Sequence, residues 1–155
     1  MSKIKKIAPK QKGYIISNPL HSRMEDTIQL LRITMTDEET KIDFGYQAGE
    51  YEDGGWIHIK PETFIRARES ESKMLIRSTK NLAKYILKRA TNIPYGPEKL
   101  HFNSTIEWRY FSLYFPRLPD DTNSFDLIEK EFGDETEFNF FNIRLDDTEK
   151  KSMIY

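Results

Sequence analysis

The sequence predicts a mainly β protein: an antiparallel, immunoglobulin-like β-sandwich of about seven or eight strands, with one α-helix inserted over about 79–90. Three observations carry that expectation. Short segments rich in β-branched and aromatic side chains recur along the chain. Within them apolar and polar residues alternate, the period of a half-buried strand. Clusters of Gly, Pro, Asp and Asn fall between them at turn positions. With 155 residues, 37% of them hydrophobic, the chain suffices for one domain that needs neither metal nor disulfide to fold.

The elements follow in order. A first strand is expected at 14–18, closed by Pro19, and a second at 27–35. Segment 41–46 places Ile42, Phe44 and Tyr46 on one face and Lys41 and Asp43 on the other, so it pairs with 27–35 as a hairpin. Asp53-Gly54-Gly55 is a turn, and 56–60 alternates again until Pro61 limits it. Shorter strands are expected at 64–65 and 74–76, around the polar loop 69–72. Ser78 or Thr79 then caps the expected helix, in which Leu82, Tyr85, Ile86 and Arg89 fall at helical spacing. Its other side carries Lys80, Lys84 and Lys88 at four-residue steps, with Arg77 just before, which makes a basic ridge. Pro94 and Pro97 stop it. Segment 108–115 is apolar on both faces, Phe111, Leu113 and Phe115 against Trp108, Tyr110 and Tyr114. It is therefore expected in the centre of the sandwich, with the helix covering one face. Segments 125–129 and 138–145 complete the set, and the adjacent Phe140 and Phe141 suit a β-bulge. The expected division is a basic arm at 1–13, one β-sandwich domain at 14–146 and a charged tail at 147–155.

Chemistry is narrowed by what the chain lacks. It has no cysteine, hence no thiol nucleophile and no zinc ribbon. It has no G-x-S-x-G, P-loop, G-x-G-x-x-G or H-E-x-x-H motif. His21, His58 and His101 each stand alone, and His58 reads as a strand-surface histidine. Glu50, Glu52 and Asp53 lack the alternating oxygen ligands of a calcium loop and read as a solvated turn. Pro116-Arg117-Leu118-Pro119 matches PxxP but is explained as a strand exit. The expectation is no catalytic residue, no metal and no cofactor, so not an enzyme. No apolar run approaches the roughly 18 residues of a membrane helix. The basic start is followed by no apolar h-region, so a cytoplasmic location is expected.

A net charge of -1 conceals segregation. Residues 1–23 hold six bases and no acid, and residues 24–59 nine acids against two bases. Residues 60–99 hold ten bases against four acids, and residues 120–155 eleven acids against four bases. A basic arm on a folded domain is a footprint for polyanions or acidic partners, and equally a solubilising terminus. The candidate partner- or anion-binding residues are Lys3, Lys5, Lys6, Lys10 and Lys12 of the arm, with Arg77, Lys80, Lys84, Lys88 and Arg89 of the expected helix.

One series of strand and turn motifs is familiar: IPYGPEK at 93–99, FSLYFPRLPDDT at 111–122, FDLIE at 125–129 and FNFFNI at 138–143. It resembles a group of uncharacterised bacterial β-sandwich domains that read IPxxPEK, LYFPxLPxxT, FDLIE and FxFxxI. WIHI at 56–59 and ETFI at 62–65 look like the group's upstream strand and loop. The likeness spans about residues 27–145, and it implies a fold rather than an activity, since the group brings no catalytic residues.

These readings converge on a non-catalytic interaction or accessory module that binds a protein partner or a larger assembly. The alternative is an RNA- or ribonucleoprotein-associated factor using the basic arm and helix. Against it stands a pI of 6.3, where general nucleic-acid binders exceed about 9. A small-ligand-binding sandwich is a third reading.

Overall fold

Residues 36–39 show how local chemistry starts the sheet. The Thr36 hydroxyl accepts the N–H groups of Glu38 and Glu39 at 3.3 and 3.2 Å, and Thr36 N–H donates to the Glu39 carbonyl at 3.0 Å. This turn, in which a side chain stands in for backbone, joins β2 (Ile28–Met35) to β3 (Glu39–Gln47). Ile28, Leu30, Ile33, Met35, Ile42 and Phe44 of this hairpin are buried, while Gln29 and Arg32 are exposed. A register shift between Leu30 and Arg32 changes the phase of β2, which is why Leu30 and Ile33 both face inward.

The computed structural model describes residues 13–23, 27–48, 55–68, 83–131, 138–145 and 150–152. Its other strands are β1 (Tyr14–Ser17), β4 (Trp56–Ile57), β5 (Phe64–Arg68), β6 (Lys84–Ile86), β7 (Arg89–Thr91), β8 (Leu100–His101), β9 (Trp108–Pro116), β10 (Ser124–Ile128), β11 (Phe140–Arg144) and β12 (Lys150–Ser152). They form a six-stranded sheet in the order β12-β1-β2-β3-β9-β7, a four-stranded sheet β11-β10-β5-β6 and the small pair β4-β8. Every ladder is antiparallel. The strand β12 arises within the segment expected as a charged tail. Among the described residues no helix is long and apolar enough to cross a membrane.

The two larger sheets share one core. Phe44 of β3 stacks on Phe111 of β9 at 5.3 Å and meets Phe138 and Phe140, from the chain entering β11, at 5.0 and 5.4 Å. Burying a side chain of this kind stabilises the fold by about 1.5–3 kcal/mol. Buried Thr40 closes one end: its hydroxyl donates to the Pro116 carbonyl at 3.2 Å and accepts Leu118 N–H at 3.2 Å. The bulge expected at Phe140–Phe141 is present, because β10 and β11 change register between Phe125 and Leu127.

The expected helix is corrected. Residues 79–82 lie outside the described residues, as does the expected strand 74–76, but 83–90 is extended. Lys84, Tyr85 and Ile86 pair with Arg66, Ile65 and Phe64 of β5, and Arg89 and Ala90 with Tyr114 and Leu113 of β9. Between them Leu87 N–H donates to the Thr63 carbonyl at 2.8 Å and Lys88 N–H to the Tyr114 carbonyl at 2.7 Å. The segment thus crosses from the edge of one sheet to the edge of the other. Two unsatisfied strand edges outweigh a helix propensity worth only tenths of a kcal/mol per residue. Among the described residues no helix covers the outer face of β9.

Candidate interaction surface

Pairing register builds the outer face of the six-stranded sheet. Alternation along β9 buries Phe111, Leu113 and Phe115 and turns Trp108, Tyr110, Ser112 and Tyr114 to the other side. Trp108 and Tyr110 stack at 6.4 Å with their planes 15° apart, and Tyr110 is 61% exposed. Opposite Tyr110 in β3 stands Gly45. A Cβ there would come within 3.1 Å of the Tyr110 ring and 3.4 Å of the Trp108 ring, so the missing side chain is what seats both rings on the sheet. Beside them Ile106 is 77% exposed, its carbonyl taking the Gln47 side-chain amide at 3.2 Å.

Farther along, the face becomes charged. Asp43 accepts from Arg32 at 2.9 Å and from the Ser112 hydroxyl at 2.5 Å. Tyr114 lies under two cations, Arg89 at 4.0 Å and Lys41 at 5.8 Å from the ring centre. Glu39 receives a two-pronged bond from Arg89 at 2.9 and 3.0 Å and a third from Lys88 at 3.1 Å. Those bonds, the Arg89 guanidinium first, hold the Glu39 carboxyl below the usual glutamate range, and Glu39 raises Arg89 in turn. Among the described residues the face carries an aromatic end and an end with four cations against two carboxylates.

The structure sorts the sequence-derived candidates. Lys3, Lys5, Lys6, Lys10, Lys12, Arg77 and Lys80 lie outside the described residues. Lys84 is separated from Lys88 and Arg89: it sits over the Phe64 ring at 4.6 Å and reaches Glu131 at 4.0 Å, while the other two converge on Glu39. The ridge expected from four-residue spacing is therefore two acid-paired groups, because an extended chain spreads those steps across two sheets. The apolar pattern on both sides of 108–115 implies a covered face for Trp108 and Tyr110. Their alternation with Phe111 was visible, yet the choice between covered and open depended on the helix.

No family model, no curated protein and no solved structure matches the chain.

Proposed function

We propose that this chain is a non-catalytic β-sandwich module that binds a protein partner through the outer face of β3 and β9. The partner presents an acidic segment bearing apolar side chains, matching the aromatic end and the net positive end of that face. One observation carries the reading: Tyr110, 61% exposed and stacked on Trp108, stands on a sheet face beside four cations and two carboxylates. Large exposed aromatics are enriched at the anchors of protein interfaces. For the fold, two sheets sharing one aromatic core support a sandwich. The run of β1, β2 and β3 through one sheet differs from the immunoglobulin division of strands, so the proposal carries the sandwich without that topology.

The RNA alternative draws its support from the arm, since Lys84, Lys88 and Arg89 are already engaged by Glu131 and Glu39. Cross-linking in the native host, with Trp108→Ala and Tyr110→Ala beside the parent chain, tests the proposal. A specific protein captured by the parent and lost from both variants is the expected result. Salt-sensitive capture of RNA that survives both substitutions and disappears when residues 1–12 are removed would overturn it.

A further inference from the structure

The main chain of β9 adds to what its side chains display. Ala48 N–H donates to the Glu107 carbonyl at 3.3 Å, which sets the phase of the ladder between β3 and β9. Main-chain groups of Arg109, Phe111, Leu113 and Phe115 therefore point to β3, and those of Trp108, Tyr110, Ser112 and Tyr114 point the other way. On that other side Lys88 N–H donates to the Tyr114 carbonyl at 2.7 Å, and β7 pairs with β9 as far as Thr91 and Ser112. There β7 ends. Asn92 takes a left-handed φ of 66° and turns the chain away, Ile93 is buried, and the Pro94 carbonyl accepts Ile59 N–H at 3.0 Å.

Trp108 and Tyr110 are left with main-chain N–H and C=O groups facing a side of β9 that no described strand occupies. The edge of β11 is treated differently. Segment 20–22 lies along it, with Ser22 N–H donating to the Phe141 carbonyl at 3.0 Å and Arg144 N–H to the Leu20 carbonyl at 2.9 Å. Strand edges left open are templates for a further strand, and folded proteins commonly cover them. The open stretch of β9 coincides with its stacked rings, because the residues whose main chain faces the edge are those whose side chains face outward. Their paired donors and acceptors recur about every 7 Å, a repeat that an extended backbone matches with its own alternating groups.

Building on the interface reading above, we propose that the partner docks by strand addition: an extended segment pairs antiparallel with Trp108 and Tyr110 of β9, in line with the end of β7. Residues of that segment opposite Tyr110 and Trp108 turn their side chains onto the two rings. The segment enters from the side of Ser112, so acids at its leading end lie nearest the Arg89 and Lys41 cations around Tyr114. Apolar side chains follow, over the rings.

Amide hydrogen exchange of the full chain tests this mode of docking, with the chain alone and with a capped peptide of two glutamates followed by alternating valine and threonine. In the free chain the Trp108 and Tyr110 amides are expected to exchange fast, and those of Phe111 and Leu113 slowly. Saturating peptide is expected to slow the Trp108 and Tyr110 amides by roughly tenfold or more. The same peptide N-methylated at its valines keeps every side chain and is expected to give no such protection. Movement of the Trp108 and Tyr110 ring signals without amide protection would overturn strand addition and leave the outer face as the partner surface. Slow exchange of both amides in the free chain, no response of β9 to the peptide, or equal protection by the N-methylated peptide also overturns it. So does protection that comes with a doubling of molecular mass, which makes a second copy the occupant. The interface reading itself stands or falls on the cross-linking of the ring variants.

Discussion

Asp126 and Arg68 form an ion pair between β10 and β5 in which the carboxylate side chain is 1% exposed and the guanidinium side chain 39%. The pair joins the sheet to its bulge. The other oxygen of Asp126 accepts Asn142 N–H at 2.9 Å, at the point where β11 carries its extra residue. Asn142 holds φ at 54°, a left-handed value that asparagine tolerates better than most residues. A buried carboxylate is thus satisfied from two neighbouring strands at once.

Replacing Asp126 by Ala leaves the Asn142 N–H unpaired in the sheet and removes the partner of Arg68. Stranding a fully buried donor costs about 1–3 kcal/mol; Asn142 is exposed and its bond only partly buried, so the loss on that side falls at or below the low end of this range. The exposure of Arg68 lets water take up part of its charge, which keeps the loss below that of a fully buried pair. Asp126→Asn retains an acceptor for Asn142 and is expected to lose less. Urea unfolding midpoints of the two variants check the order, and equal losses would show that the bulge bond contributes nothing.

Alternation made 39–47 and 108–116 legible, and β-branched and aromatic content did the same for 28–35 and 124–128, while the paired phenylalanines lie beside the register shift of β11. Segment 83–90 departs from its helical pattern for a physical reason. Lys84, Tyr85, Ile86, Leu87, Lys88 and Ala90 satisfy helical spacing and propensity, but the edges of β5 and β9 hydrogen-bond that segment, and only long-range structure reveals them. The difference extends to the site, because a helix above β9 would cover Tyr110, which is 61% exposed. The aromatic core had no local signature, because Phe44, Phe111, Phe138 and Phe140 come together only in the fold.

Gly45 is the position through which the aromatic end of the face can be altered from beneath. Gly45→Val places a branched side chain where the Tyr110 and Trp108 rings now rest, at 3.1 and 3.4 Å from the first added carbon. Both rings are at the surface, so they yield outward, and valine suits a strand better than glycine. Folding stability is expected to change by less than about 1 kcal/mol. Partner capture is expected to fall together with a red shift of tryptophan emission. Undiminished capture with displaced rings would remove Trp108 and Tyr110 from the interface.

Glu39 sets the charge balance at the other end of that face. Its carboxyl is held low chiefly by the Arg89 bond, then by Lys88. A depressed acid stabilises the fold above its unfolded value, and that contribution is lost as pH falls through the folded value. The groups are largely at the surface, so Glu39→Gln is expected to lower the urea midpoint slightly at pH 7 and not at all in strong acid. It also releases Lys88 and Arg89, so low-salt retention on heparin is expected to increase. Retention identical to that of the parent chain would mean that these cations are accessible despite Glu39.

His21 gives the protein an acid-sensitive turn. Its Nδ1 accepts Arg23 N–H at 3.1 Å, and its ring meets Phe140 edge-on at 5.2 Å. Burial first, and the Arg23 charge second, hold the imidazole below its ordinary range. The unfolded chain therefore takes up this proton at a higher pH than the folded protein does. By linkage, stability is complete above the ordinary histidine value of about 6.5 and declines as pH drops toward the folded value. Protonation also converts Nδ1 from acceptor to donor, which removes the bond to Arg23. His21→Asn keeps an acceptor at the same position without a titrating group. Urea unfolding between about pH 8 and pH 5.5 should show a fall for the parent chain that the variant lacks. Parallel curves for the two proteins would assign the acid sensitivity to other groups.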